Sequence, residues 1–179
     1  MRFIVNEFLN FLKMNFIIGN RIALRAFAES DITERHVAWL NDPVVMQFSR
    51  HRNLVHTKAT CRMYLKSFDN SRDSYYVLID RLTDLSIGSM TAYFNENHSA
   101  ADLGILIGDT NFWGKGYAKE AILTLAFHLV RCKSVKRITC GTRADNERMI
   151  RLAESCGFLR CADDLINGET FLYFERHFS

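Results

Sequence analysis

The clearest chemical signature in this chain is Gly114-Lys115-Gly116, two glycines that flank a lysine. An apolar run at residues 103–107 precedes it and predicts a strand. Apolar residues recur after it at helical spacing, at positions 118, 121, 122, 125 and 129. Two glycines allow a sharp turn in which backbone N–H groups converge, and the start of a helix adds its dipole. With the positive charge of Lys115, the loop predicts a site for phosphate oxygens.

Two common phosphate-binding loops do not fit this spacing. A Walker loop has four residues between its first glycine and Gly-Lys-Ser/Thr. Here residues 109–113 separate Gly108 from Gly114, and Gly116 stands where a hydroxyl is needed. A dinucleotide-binding loop needs a third small residue at the position of Lys119. These mismatches argue against an ATP-binding or NAD-binding module. From the loop alone, the alternative is a glycine-containing connection between a strand and a helix that binds no ligand.

A second motif follows downstream, and with it residues 102–158 resemble the GNAT family of acetyl-CoA-dependent N-acetyltransferases. The family's pyrophosphate loop reads Gln/Arg-x-x-Gly-x-Gly/Ala, and residues 111–116 match it except at Asn111. The second motif begins at Asn146 and ends in Gly-Phe at residues 157–158. Residues 113–121 look like the branch that includes ribosomal-protein N-terminal and amino-sugar acetyltransferases. A weaker likeness extends back to Arg21.

The resemblance implies acetyl-CoA as the acetyl donor. Loop N–H groups would hold its pyrophosphate, and the main chain of the preceding strand would pair with its pantetheine arm and stabilise the oxyanion. From the sequence alone, Asn146 is equally a helix cap, and Gly104 marks either a bulge or an ordinary position in a strand. The cofactor-binding residues implied are Ile105, Leu106, Ile107, Trp113, Gly114, Lys115, Gly116, Tyr117, Ala118 and Asn146.

The motifs do not identify which residues act as acid and base in acetyl transfer. An amine is mostly protonated at neutral pH, so a carboxylate usually removes its proton. Asp102 stands where many relatives place an acidic residue, although it also suits a surface position. Glu120 matches the branch pattern, but a carboxylate in a first helical turn has a structural reason to be there. Ala153 replaces a tyrosine that protonates the leaving thiolate in many members. Ser155 or a bound water could substitute, or the coenzyme A thiol could leave without a dedicated acid.

The acceptor is expected to meet a segment of mixed charge and aromatic character between residues 39 and 52. Trp39, Arg50 and Arg52 are the predicted substrate residues, and the two arginines suit a phosphate or carboxylate. A solvated loop is the other interpretation. The predicted acceptor is a small-molecule amine, such as a nucleotide-linked amino sugar, or a peptide N-terminus. Because of Ala153, the alternative is a catalytically silent acyl-CoA-binding regulatory domain.

Composition narrows the remaining classes. A chain of 179 residues with a net charge of +3 predicts a single domain and no nucleic-acid partner. Five cysteines without a C-x-x-C pair argue against disulfides and zinc, and they favour a reducing cytoplasm. Six scattered histidines predict no metal site. A homodimer is left open.

The first residues are set apart as an N-terminal extension, residues 1–16, before a single N-acetyltransferase domain at residues 17–179. Residues 1–14 are apolar on one helical face, but polar residues interrupt them, so they are too short and too polar to span a bilayer. They suit a helix that packs on the domain or a partner, an interfacial helix, or sequence upstream of a true start at Met14. The pattern favours packing over membrane binding.

The predicted fold is α/β, with antiparallel N-terminal strands and a parallel central pair in one mixed sheet flanked by helices. The resemblance implies that the central pair is splayed. Asp31 is expected to cap the first helix and Thr57 the second. Predicted strands are residues 17–27, 75–80, 86–93, 98–107, 137–143, 159–161 and 170–176. Predicted helices are residues 32–40, 58–68, 117–131 and 147–156.

Overall fold

The computed structural model describes residues 16–178, and they form a single sheet of eight strands in the order β1-β2-β3-β4-β5-β6-β8-β7. The predicted extension, residues 1–16, lies outside the described residues except for Phe16. The strands are β1 Ile17–Ile18, β2 Ile22–Ala26, β3 Ser74–Asp80, β4 Leu85–Phe94, β5 Ala100–Ile107, β6 Arg137–Arg143, β7 Leu159–Ile166 and β8 Glu169–His177.

Neighbouring strands pair antiparallel except β5 and β6, which are parallel. A parallel pair needs a long crossover, and the helix between these two strands supplies it. The two strands share only three residue pairs, and the last joins Asp102 to Thr139. Beyond that pair β5 continues for five residues without β6 beside it. The mixed sheet with a splayed parallel pair is confirmed.

Five α-helices lie within the described residues, and none is long and apolar enough to cross a lipid bilayer. Thr57 caps the third helix as predicted, by accepting a hydrogen bond from the Thr60 N–H. The predicted cap Asp31 was wrong, because Thr33 caps the first helix. The Asp31 carboxylate accepts hydrogen bonds from Arg25 instead. The helices are α1 Glu34–Asn41, α2 Pro43–Met46, α3 Lys58–Lys66, α4 Tyr117–Lys133 and α5 Glu147–Ser155.

Two predicted strands differ from the structure by more than one or two end residues. The strand predicted at residues 17–27 is a hairpin of β1 and β2, because the chain turns at Gly19, whose N–H donates to the Ile22 carbonyl. The strand predicted at residues 159–161 is β7, which runs to Ile166, since its pairing with β8 continues up to the turn at residues 167–168. Seven of its eight residues are exposed, so it carries no alternation of apolar and polar residues to reveal its length.

The two faces of the sheet pack against different helices. Successive residues of a strand point to opposite faces. Leu78 packs in the large core under α4 and α5, whereas its neighbour Val77 packs in a smaller cluster under α1 and α3. The larger core holds fully buried side chains of α4 such as Leu125 and Leu129. The two faces are therefore closed to different degrees.

Candidate active site

A cavity of about 800 Å³ lies on the α1–α3 face of the sheet, where β5 and β6 diverge. Its floor comes from alternate residues of neighbouring strands, which the strand register brings to one face. Helices α1–α3 and the connecting segment before α3 form its wall. This volume is within the range of small-ligand sites in proteins. The floor residues are Ser89, Thr91, Asp102, Gly104, Gly141 and Tyr173.

The main chain of β5 alternates between its two neighbours. The Leu106 carbonyl faces β4, because a Cβ at Gly88 would overlap it, whereas the Ser99 carbonyl accepts from Lys136 on the β6 side. The backbone N–H and C=O groups of odd-numbered β5 residues therefore point towards β6. Ile105 lies beyond the last residue pair with β6, so its N–H and C=O face the opening between the two strands. The Ile107 carbonyl accepts the Trp113 indole N–H at 2.8 Å.

This alternation corrects one prediction for β5 and resolves another. The main chain of Leu106 points at β4, so only its side chain is left to line the cavity. Gly104 forms no bulge, since its pairing with Thr91 shows no register shift. A Cβ at Gly104 would come within 2.5 Å of the Thr91 hydroxyl. Gly104 is therefore a strand glycine that permits a close approach between β4 and β5.

The glycine loop has the backbone that the motif predicts. Gly114 and Gly116 adopt φ of 70° and 80°, a region that residues with a Cβ rarely enter. Apart from its two chain neighbours, no described residue has an atom within 4 Å of the position that a Cβ would take at Gly114, so the loop surface is open there. Gly116 is the N-cap residue of α4, and no side-chain cap accepts from the first helical N–H groups. These donors and the helix dipole form a cradle that suits phosphate oxygens.

Arg21 adds positive charge beside this loop. Its Nη1 donates to the Lys115 carbonyl at 2.9 Å, and its guanidinium stacks 4.5 Å from the Tyr117 ring centre. On α5, the Arg148 guanidinium lies 5.4 Å from the Trp113 ring centre. Sequence reasoning missed both arginines as loop neighbours. Arg21 is 94 residues away from Lys115, so no local spacing could reveal the contact.

Two motif side chains next to the loop have structural partners. The Tyr117 hydroxyl donates to the buried Asp80 carboxylate at 3.0 Å, which leaves only the backbone of Tyr117 for a ligand. Glu120 accepts from the Arg21 N–H and side chain at 2.6 and 2.9 Å. Partial burial alone raises the pKa of Glu120, but the hydrogen bonds from Arg21 and Ile22 outweigh it and hold that pKa below its ordinary value. Glu120 therefore joins β2 to the start of α4.

Asn146 caps α5, as one of its two interpretations predicted. Its side-chain oxygen accepts from the Met149 N–H at 3.2 Å, and its amide donates to the Thr142 hydroxyl at 2.9 Å. Asn146 also lines the cavity. A contact between Asn146 and the cofactor stays a prediction.

Asp102 lies at the point where β5 and β6 separate, and it faces the cavity. The Thr139 hydroxyl donates to its carboxylate at 2.6 Å. Its side chain is accessible to water in the cavity, but the enclosing protein raises the pKa of Asp102 above its ordinary value. The Thr139 hydrogen bond and the charge of Arg50 offset part of that rise. A carboxylate with a raised pKa is suited to accept a proton near neutral pH.

Of the three predicted substrate residues, only Arg50 reaches the cavity. Its guanidinium donates to the Tyr173 hydroxyl at 2.9 Å and stacks 4.5 Å from the Phe171 ring centre. Arg52 instead pairs with Glu169 at 2.6 Å and does not line the cavity. It fastens the segment before α3 to the start of β8.

Trp39 is buried rather than exposed to a ligand, so its placement in the acceptor site was wrong. Its side chain is 9% exposed and packs over Gly108, where a Cβ would overlap the indole ring. The absence of a side chain at Gly108 is what allows this contact. Trp39 therefore holds α1 against the end of β5.

Ser155 lies at the end of α5 and does not line the cavity. Its hydroxyl donates to the Leu152 carbonyl at 2.9 Å, a helical contact that uses its proton. The structure therefore does not bring Ser155 to the place where a thiolate would be protonated. Ala153 is 1% exposed and packs in the large core.

Sequence reasoning missed most of the polar and aromatic cavity residues. Ser89, Tyr75 and Tyr173 lie on three strands that are distant in sequence, and only the strand register brings them to one face. Tyr64 reaches the cavity from α3, where its hydroxyl lies 2.6 Å from that of Tyr93. None of these residues belongs to a local motif.

Comparisons with known proteins agree with this geometry. The family model described as an acetyltransferase (GNAT) domain matches residues 21–159. The N-acetyltransferase 9-like protein of Nematostella vectensis is 21% identical over 170 residues, which cover 89% of this chain and 85% of that protein.

Solved structures support the same fold. A ribosomal L7/L12 alpha-N-protein acetyltransferase in complex with coenzyme A superposes with a TM-score of 0.79 at 18% identity, over 90% of this chain and 97% of that one. Spermidine N-acetyltransferase from Vibrio cholerae, in complex with CoA and spermine, gives 0.76 at 19% identity, over 88% and 95%. Because the family model covers well over half of the chain, this protein belongs to the GNAT family of acetyltransferases, which transfer an acetyl group from acetyl-CoA to an amine.

Proposed function

We propose that this protein acetylates the primary amine of a small molecule or of a protein N-terminus at the opening between β5 and β6. The observation that carries the proposal is the joint position of three features. The loop in which Gly114 and Gly116 have positive φ precedes α4. The backbone N–H and C=O of Ile105 face the opening, and Asp102 lies where β5 and β6 separate. Together they offer a phosphate cradle, an extended pairing edge and a base.

The donor side is assigned to the backbone of residues 113–118 and of Ile105. The residues fit the group, because the cradle is open at Gly114 and the first N–H groups of α4 have no side-chain cap. Arg21 lies beside the loop, where its guanidinium pairs with Glu120 and donates to the Lys115 carbonyl. Acetyl-CoA, when bound, supplies a thioester with an electrophilic carbonyl carbon. The Ile105 N–H is the donor we assign to the oxyanion, a role typically worth about 3 kcal/mol.

Asp102 is assigned as the base that accepts the proton of the acceptor's ammonium. The Thr139 hydroxyl fixes one carboxylate oxygen, so the other stays available to the cavity. We assign no acid to α5, because Ala153 is buried and Ser155 lies outside the cavity. Two of the sequence-based alternatives remain: a water molecule protonates the leaving thiolate, or the coenzyme A thiol leaves without a dedicated acid.

A nucleotide-linked amino sugar loses its support as acceptor. That hypothesis required Arg50 and Arg52 together, but Arg52 is neutralised by Glu169 and does not line the cavity. A single arginine that already stacks on Phe171 does not form a phosphate cluster. Small amines without phosphate and peptide N-termini keep their support.

The proposed function is tested by following thiol release from acetyl-CoA with a panel of primary amines, beside direct measurement of acetyl-CoA binding. Amine-dependent thiol release with matching acetylated product is expected. Tight acetyl-CoA binding without product from any amine or peptide would favour the silent regulatory domain. Failure to bind acetyl-CoA would contradict the assignment of the loop.

A further inference from the structure

The acceptor part of the cavity is walled mainly by apolar and aromatic side chains. They come from the residue after β2, from α1 to α3 and from β3, whose Tyr75 lies level with Gly104 of β5 across β4. The aromatic hydroxyls of this wall have partners, since Tyr64 pairs with Tyr93 and Tyr75 contacts Ser89. The wall residues are Phe27, Leu40, Val45, Met46, Tyr64 and Tyr75.

Permanent charge is scarce in the same lining. Among the described residues that line the cavity, Asp102 is the one carboxylate, and Arg50 is the one arginine or lysine. The Arg50 guanidinium is already engaged with Tyr173 and Phe171. His36 is 4% exposed, and burial lowers its pKa, so it is neutral at pH 7. His51 and His56 also line the cavity, so Asp102 on the floor is the one carboxylate that the described lining residues offer to a positive charge.

The lining is expected to distinguish amines by what the acceptor carries besides its reacting amine: a second ammonium group or a hydrocarbon chain. One ammonium group can lie beside the Asp102 carboxylate, where the two charges stabilise each other. A second ammonium group on the same molecule would find no second carboxylate among the described lining residues, and a buried charge without an ionic partner is strongly unfavourable. A hydrocarbon chain in the same place is favourable, because it leaves water for an apolar surface.

We propose that the acceptor is a primary amine with a single positive charge on an apolar body, and that polyamines and amino sugars with several charges are excluded. This inference rests on the proposed function and adds its substrate class. The same chemistry occurs in a free alkyl or aralkyl amine and in a peptide whose N-terminal residue is apolar.

The direct test compares n-hexylamine with 1,5-diaminopentane, which have the same number of non-hydrogen atoms. They differ in that a terminal methyl group replaces an ammonium group. Hexylamine is expected to have a kcat/KM at least about 10²-fold higher, because the second charge finds no partner. Binding of each amine to the protein without acetyl-CoA, measured by calorimetry, is expected to show the same order. Equal values, or a preference for the diamine, would overturn the inference.

A charge introduced into the wall sharpens this test. Tyr64→Glu places a carboxylate in the lining and is expected to reduce the preference for hexylamine at least about tenfold. Met63→Glu adds the same charge on the same helix, but Met63 is 72% exposed and lies outside the cavity, so the preference is expected to be unchanged. Equal shifts in both variants would contradict a role of the wall. If Tyr64→Glu does not fold, the wild-type comparison still decides.

The two sources of the acceptor are separated by the peptides Leu-Ala-Ala and Lys-Ala-Ala, assayed beside hexylamine. If Leu-Ala-Ala is acetylated and hexylamine is not, the acceptor is a peptide N-terminus. If hexylamine is acetylated and Leu-Ala-Ala is not, the acceptor is a free amine. Both results support an acceptor with an apolar body. A kcat/KM for Lys-Ala-Ala equal to that of Leu-Ala-Ala would overturn it. Turnover that favours diamines would refute this inference alone, whereas no turnover of any amine would refute the proposed function itself.

Discussion

The two faces of the central sheet differ in what covers them. The face under α4 and α5 is closed by a continuous core in which Leu125, Leu129 and Ile138 are fully buried. The other face has a small cluster around Val77 and Ile79 under α1 and α3, and beyond it the sheet is open and polar. The closed face fixes the glycine loop and β5, which the donor needs. The open face leaves the room in which an acceptor binds.

The faces also differ in the kind of atoms that they offer to a ligand. The donor loop offers backbone N–H groups, whose direction depends on φ at two glycines. The acceptor cavity offers side chains from strands and helices that are far apart in sequence. Substitutions at the loop are therefore expected to act through backbone conformation, and substitutions in the cavity through charge and shape.

The largest effect is expected from Gly114→Val and Gly116→Val, which attack the donor side. A β-branched residue disfavours the positive φ and fills the space near the phosphates. Acetyl-CoA affinity is expected to fall at least about 10²-fold, as measured by calorimetry on the folded variants.

Gly168→Val is the matched control, because Gly168 also has a φ of 80° and open space around it, in the β7–β8 turn. This variant is expected to lose a similar amount of stability and to keep its acetyl-CoA affinity. If the loop variants bind acetyl-CoA as well as the control does, the loop does not hold the donor.

Asp102→Asn removes the proposed base on the acceptor side and does not alter the loop that is proposed to bind acetyl-CoA. Turnover is expected to fall about 10²- to 10⁴-fold with acetyl-CoA affinity unchanged, because the base is lost. The loss should be partly recovered at high pH, where the free amine is abundant. In the wild type, the rate should fall as the pH drops through the raised pKa of Asp102, since the protonated carboxyl cannot accept a proton.

The exposed Asp163 on β7 provides the comparison for this variant. Asp163→Asn removes the same charge at a residue that does not line the cavity, and it is expected to keep both the rate and its pH profile. A wild-type rate in Asp102→Asn would assign the base to another group or to water.

The acid dependence of stability tests how Glu120 joins β2 to the start of α4. The pKa of Glu120 is held below its ordinary value, so its contribution to stability is present above its unfolded-state pKa and is lost as the pH falls through its folded-state pKa. Glu120→Gln is expected to lower the free energy of unfolding by about 1–2 kcal/mol at pH 7, with a smaller difference below about pH 4. Denaturant unfolding at both pH values measures this.

Glu147→Gln serves as the surface control, because its carboxylate pairs with Arg151 one turn along α5 and is 76% exposed. Its effect is expected to stay within about 0.5 kcal/mol at either pH. A similar loss in both variants would contradict the joining role of Glu120.

The smallest effect concerns the two arginines of the segment before α3. Arg50→Ala is expected to raise the acceptor KM about threefold to tenfold, because Arg50 lines the cavity and holds the Tyr173 hydroxyl. Arg52→Ala should leave that KM unchanged, since its charge is used by Glu169. Steady-state kinetics with hexylamine or the best peptide distinguishes them. A larger effect of Arg52→Ala would restore a role for Arg52 in acceptor binding.

The donor side could be predicted from sequence because its determinants are local. Gly114 and Gly116 lie next to each other and to α4, so a short motif predicts both the turn and the helix start. The parallel pair was predictable for a similar reason, since a strand, a helix and a strand of this length imply a parallel crossover. The splay of that pair followed from the resemblance. The position of Asp102 at the end of that pair followed from the resemblance.

The acceptor side could not be predicted in the same way. Arg50 and Arg52 look alike in sequence, and only the proximity of Glu169 to one and of Tyr173 to the other separates them. Trp39 carries no sign in the sequence that Gly108, on another element, makes room for it. Burial and pairing between distant segments depend on the strand register, which a single sequence does not display.

The central claim is that the open face brings an amine to the acetyl group held by the glycine loop. A single-turnover experiment with equal amounts of protein and acetyl-CoA and an excess of n-hexylamine or Leu-Ala-Ala tests it most directly. Mass spectrometry is expected to show one acetylated amine for each free coenzyme A thiol, and Asp102→Asn should slow both together. Acetyl-CoA that binds and stays intact with every acceptor would contradict the account.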